Sequence, residues 1–123
     1  MLKGALLAES LRLEAVLDLP AVTLTRVVRR DVSGSATSSQ PSTWTFLEFE
    51  AADEVADRLA EALAGSLLAE GGGYANFTVG DEHVVVFAGR IFRHRSGDTA
   101  RRAEAQAYAR RVGVPEHQMD WGD

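Results

Sequence analysis

Tyr74-Ala75-Asn76-Phe77-Thr78-Val79-Gly80-Asp81-Glu82-His83-Val84-Val85-Val86-Phe87 decides the fold. Gly80-Asp81 lies between two runs of β-branched and aromatic residues, the composition of a two-residue hairpin turn. Counting outward from that turn sets Val79 against Glu82, Thr78 against His83, Phe77 against Val84, Asn76 against Val85, Ala75 against Val86 and Tyr74 against Phe87. Successive strand side chains alternate between faces. Ala75, Phe77, Val79, Val84 and Val86 therefore form an apolar face suited to packing under helices. Tyr74, Asn76, Thr78, His83, Val85 and Phe87 form the other face, which is aromatic and semi-polar. A slip of one residue would exchange the two sets, so the assignment is as good as the turn.

The same reading extends along the chain in both directions. Residues 2–8 are expected to form a strand, since Glu9 interrupts the apolar run too early for a signal peptide. Residues 21–32 are rich in β-branched types, with Val22, Leu24, Val28 and Val32 in phase, and predict a strand; 9–20 remain open between a short helix and an irregular connection. Residues 33–42 are small and polar, the composition of a flexible loop, before a strand returns at 43–51 with Trp44, Phe46, Leu47 and Phe49. From Asp53 to Leu68, Val55, Leu59, Leu63 and Leu67 join Ala56 and Ala60 in one stripe, predicting a helix that Gly71-Gly72-Gly73 ends. These glycines follow a helix and so do not form a phosphate cradle, which needs them before one.

Beyond the hairpin, its second strand is expected to continue through a bulge at Gly89 to about His94. A second helix spans about 98–112, capped by Asp98 and stopped by Gly113 and Pro115. Its apolar side is Ala105, Tyr108, Ala109 and Val112, with Arg101 one turn earlier on the packed side and Arg102, Gln106 and Arg110 pointing away. The expected fold is thus α+β: a strand, then strand-strand-helix twice, making a mainly antiparallel sheet with both helices on one face. By topology alone it resembles a ferredoxin-like sandwich, and no motif carries that comparison further. One domain is expected over 1–123, with 113–123 as a C-terminal tail whose Trp121 docks on a protein surface.

Composition sets outer limits on function. Of 123 residues, 46% are hydrophobic and 25% charged, an ordinary globular balance. With no Cys, disulfides and thiolate metal sites are excluded and a cytoplasmic location is expected; no apolar run is long enough to span a bilayer. The net charge of −5 argues against a general nucleic-acid binder. Residues 90–111 nevertheless hold seven arginines against Asp98 and Glu104, an excess of five positive charges suited to an anion or acidic partner.

A sheet with both helices on one side leaves Tyr74, Val85 and Phe87 uncovered, together with either Trp44 and Phe46 or Leu47 and Phe49. Contiguous exposed apolar surface marks interfaces or ligand grooves, and burying it is worth roughly 25 cal/mol per Å². The expected function is a small cytoplasmic, non-catalytic binding or interaction module, homodimeric through that face: Tyr74, Asn76, Thr78, His83, Val85 and Phe87. The alternative is a small enzyme or carrier with a hydrophobic small-molecule pocket there, lined by His83, Asn76 and Tyr74, with His83 as the candidate general acid or base. A third reading is a regulator binding an anion or nucleotide at 90–102, through His94, Arg95, Ser96 and Arg101. No catalytic residues, metal or cofactor are expected: the histidines lack ligand spacing and no Gly-x-Ser-x-Gly elbow occurs. Glu48 and Glu50 are expected to be charge partners of Arg26 or Arg30 across strands.

Overall fold

Gly80 adopts a φ of 59° while Asp81 does not leave the negative range, the pattern of a type II′ hairpin turn. In the computed structural model, which describes residues 1–19, 21–31, 34, 42–69 and 73–114, this turn joins β4 (Ala75–Val79) to β5 (Glu82–Phe87). The expected register holds from Val79 opposite Glu82 to Ala75 opposite Val86. The remaining strands are β1 (Leu2–Leu7), β2 (Val22–Asp31), β3 (Thr43–Ala51) and β6 (Arg90–Arg95). They form one antiparallel six-stranded sheet in the order β2-β3-β1-β4-β5-β6. Helix α1 (Ala56–Ala64) follows a 3₁₀ turn at Asp53–Val55, and α2 (Thr99–Arg111) follows β6.

Two expectations need correction. The strand does not run on through Gly89: this residue takes φ 69° in a tight turn, and β6 folds back on β5 with Phe87 opposite Arg90 and His83 opposite His94. The second strand-strand-helix unit is therefore a three-stranded meander followed by a helix. Nor do the helices share a face. On β5, Val84 and Val86 belong to the core under α1, with Leu59, Leu63, Leu2, Phe49 and Phe77. Val85 and Phe87 belong to a second core, with Ala105 and Ala109 of α2. Neighbouring residues of a strand point to opposite sides, so the helices lie on opposite sides of the sheet. This departs from the ferredoxin-like arrangement, in which both helices cover one side.

The order of strands explains the α1 side. β3 and β4 both run antiparallel to β1, which lies between them, so they are parallel to each other and α1 is their crossover. The apolar stripe of α1 buries Ala56, Leu59, Ala60 and Leu63 as its spacing predicts. The helix stops at Gly65, short of the expected Leu68, because Leu67 turns back to bridge Leu11. The 9–20 stretch begins with a 3₁₀ turn at Ala8–Ser10 and then lays Leu11, Leu17 and Leu19 against the α1 core.

β2 carries a bulge between Leu24 and Arg26. Leu24 faces the α1 side beside Phe49, but Val28 pairs with Phe46 on the other side, so the expected common phase of Val22, Leu24 and Val28 is broken. Gly4 is a further requirement of the α1 side. A Cβ there would meet Phe77 Cβ and the Asn76 carbonyl oxygen, and would lie 2.7 Å from Phe77 Cα. Gly4→Ala should lower unfolding free energy by about 3 kcal/mol in a urea titration, since backbone on the neighbouring strand leaves the methyl no space.

Candidate functional site

The side of the sheet away from α1 has two halves. Over β5 and β6 it is roofed by α2: Val85, Phe87 and Phe92 rise from the strands to meet Ala105, Tyr108, Ala109 and Val112, with Tyr74 and Val114 closing the edges. The Phe87 ring lies 5.0 Å from that of Tyr108 at 64° and 5.9 Å from that of Phe92 at 83°, both edge-to-face. Arg90 lays its guanidinium 5.2 Å from the centroids of both Phe92 and Tyr108, tying the strand to the helix from outside.

At the end of this roof lies a pair of histidines. Their cross-strand positions bring the rings of His83 and His94 to 5.2 Å, stacked at 29°. His83 Nε2 is 3.1 Å from Ser96 Oγ. His94 is 2% exposed, and neither of its ring nitrogens has a hydrogen-bond partner among the described residues; Arg102 Nε on α2 is also buried without one. Burial pushes the His94 ring below its usual range, the charges of His83 and Arg102 push it further, and Asp98 opposes them. The Asp98 carboxylate caps α2 by accepting the Arg101 backbone N–H at 3.1 Å.

The other half, over β2, β3 and β1, has no helix above it among the described residues. The register places Leu7, Phe46 and Val28 side by side there, with Trp44 beyond Phe46 at a ring separation of 6.1 Å. All four are partly exposed. Towards the opposite end the surface becomes charged, with Arg26 3.4 Å from Glu48 and Lys3 3.9 Å from Glu50. The two glutamates thus serve as cross-strand charge partners, Glu50 with Lys3.

The expected face residues separate accordingly. Val85 and Phe87 are buried beneath α2 and Tyr74 is half-buried at its margin, so these three are covered by the chain itself. Asn76 is half-buried, and exposed Thr78 donates its hydroxyl to the Lys3 carbonyl at 3.5 Å. Of the expected anion set, His94 and Ser96 both meet His83, whereas Arg95 lies on the opposite side of β6 and Arg101 is exposed with only its backbone held. Arg102, which the helical spacing pointed away, turns inward in place of Arg101.

The arginine run is divided rather than convergent. Arg93 reaches the α1 side and binds Asp57 at 2.6 Å and Glu82 at 2.9 Å, while Arg90 serves the aromatic rings. No group of three or more metal-ligating side chains occurs among the described residues, and no described helix is long and apolar enough to cross a membrane. A 60 Å³ cleft between Phe87, Ala88, Tyr108 and Val112 is well below the about 300–1,000 Å³ of ordinary ligand sites. Trp121 and the 35–41 stretch lie outside the described residues.

The signal for α2's position was present in the residues: Val84-Val85-Val86-Phe87 is a continuous apolar run, the mark of a strand covered on both faces. Comparison with protein-family models, curated proteins and solved structures finds no match to this chain.

A second electrostatic feature lies on the α1 side. The Glu9 carboxylate accepts the Thr45 backbone N–H at 2.6 Å and its hydroxyl at 2.8 Å. Burial raises its pKa, but these hydrogen bonds and the charge of Arg29 outweigh burial and hold it below 4.5. Its contribution is full above that value and falls away as pH drops through the folded-state pKa. Glu9→Gln should cost about 2 kcal/mol at pH 7, and the cost should shrink progressively as pH is lowered below 4.5, measured by urea unfolding across that range.

Proposed function

We propose that this chain is a small, non-catalytic interaction module that works as a homodimer, joined through the half of the sheet face that α2 leaves open. The observation that carries the reading is the partly exposed row of Leu7, Phe46 and Val28, continued by Trp44, beside a face otherwise roofed by the chain's own helix. An apolar row of this kind gains from cover, at roughly 25 cal/mol per Å² removed from water. Its polarity supports a second copy as the partner. The row is apolar at the Trp44 end and carries Arg26, Glu48, Lys3 and Glu50 at the other, so a two-fold axis near Phe46 lays apolar surface on apolar surface and leaves the ion pairs at the rim.

Light scattering over a dilution series should return twice the monomer mass. Phe46→Asp should return the monomer mass with the chain still folded, because it would place an unpaired carboxylate in a dry contact. A wild-type mass that stays monomeric at the highest concentrations would remove the reading.

A second reading, a small enzyme, rests on the contact between His83 Nε2 and Ser96 Oγ, a base beside a hydroxyl. The non-catalytic reading expects no mass gain at Ser96 on treatment with a serine-directed fluorophosphonate. A stoichiometric adduct lost in His83→Gln would favour the enzyme.

A further inference from the structure

His94 sits beneath the start of α2 in surroundings that suit only its neutral form. Both ring nitrogens are buried without partners among the described residues, so the neutral ring already leaves one donor and one acceptor unused there. Protonation would turn the acceptor into a second unused donor and place a full charge at a 2% exposed position. The groups that face it are mostly basic. His83 stacks on it from β5, Arg102 approaches from α2 with its own buried Nε unpartnered, and the one acid, Asp98, is engaged at the helix cap.

We propose that α2 is a proton-sensitive cover: uptake of a proton by His94 loosens the helix from β5 and β6 and uncovers Val85, Phe87 and Phe92. The helix yields rather than the strand because the two are held differently. β6 is paired with β5 along its whole length, from Glu82 opposite Arg95 to Phe87 opposite Arg90. α2 buries only Ala105 and Ala109 fully, with Tyr108 and Val112 partly covered. Its other residues are polar or, at Ala100, Ala103 and Ala107, exposed, so few apolar contacts from the helix oppose its release.

The direction follows from the ring's environment. Burial first, then His83 and Arg102, hold His94 below its ordinary 6.5 while the helix is docked. A released ring takes its proton near 6.5 and a docked one at lower pH, so docking is fully favoured above that value and weakens as pH falls below it. Between the two values the opening equilibrium rises by up to about tenfold per pH unit. The Glu9 carboxylate titrates below 4.5, outside this window. The device involves β5, β6 and α2 and is independent of the proposed dimer face.

The test is amide hydrogen exchange of the full chain between pH 7.5 and 5.0, expressed as protection factors that remove the intrinsic pH dependence. Residues 103–111 should lose up to about tenfold in protection between pH 7 and 5.5 while β1 and β3 keep theirs. His94→Phe, which retains the aromatic stack, should abolish the loss, and Arg102→Gln should shrink it. Flat protection in α2, a parallel loss in β1 and β3, or a loss that persists in His94→Phe would each overturn the proposal. If His94→Phe does not fold, the wild-type ring is titrated by proton NMR instead. A midpoint at or above 6.5 in the docked state overturns the proposal and one below it supports it.

Discussion

The structure depends on burying one strand from both sides. Val84 through Phe87 are four consecutive residues at 2% exposure or less, and alternation sends two to each side of the sheet. Val84 and Val86 meet the residues under α1, and Val85 and Phe87 meet those under α2. Each fully buried side chain of this size contributes about 1.5–3 kcal/mol, so this short run joins two cores that share no other strand as completely. The turns at Gly80 and Gly89 supply the strands that flank it, and both positions use positive φ, which costs glycine little.

Given that constraint, the hairpin was legible in the residues and the placement of the helices was not. The turn chemistry of Gly80-Asp81 set the register, and with it which of Ala75, Phe77, Val84 and Val86 share a face. The side taken by α1 follows from its role as a crossover between β3 and β4. No such rule acts on α2, because no later strand among the described residues requires the chain to cross back. Its side is decided by which apolar residues still lack cover, and the continuous run at 84–87 held that information where an alternating reading discarded it. The inward turn of Arg102 rather than Arg101 was beyond periodicity, since both positions border the same stripe and only the site of His94 separates them. Gly4 was equally silent: its need arises from Phe77 and Asn76 on the neighbouring strand, seventy residues and more away in sequence.

The charged residues divide into those that hold the fold and those placed at a cost. Arg93 is of the first kind, since burial works against its charge but its hydrogen bonds to Glu82 and Asp57 outweigh that and raise its pKa. At 36% side-chain exposure each contact is screened by water, and its value lies mostly in fixing α1 against the β5 side of the sheet. His94 and Arg102 are of the second kind. A buried polar atom without a partner costs about 1–3 kcal/mol, and among the described residues three such atoms gather under one end of α2.

The two helices consequently differ in how firmly they hold the same sheet. α1 enters its core with two leucines and two alanines, and Arg93 secures it from the side. α2 enters with two alanines over a site that already contains unsatisfied polar atoms, and its further support comes from Tyr108, Val112 and the guanidinium of Arg90. Polar desolvation therefore offsets part of the apolar burial on the α2 side. A proton at His94 adds a charge and a further unused donor to a site that already lacks partners among the described residues, whereas the Glu9 carboxylate is held by Thr45 and takes up its proton only below 4.5, so the two groups act in separate pH ranges.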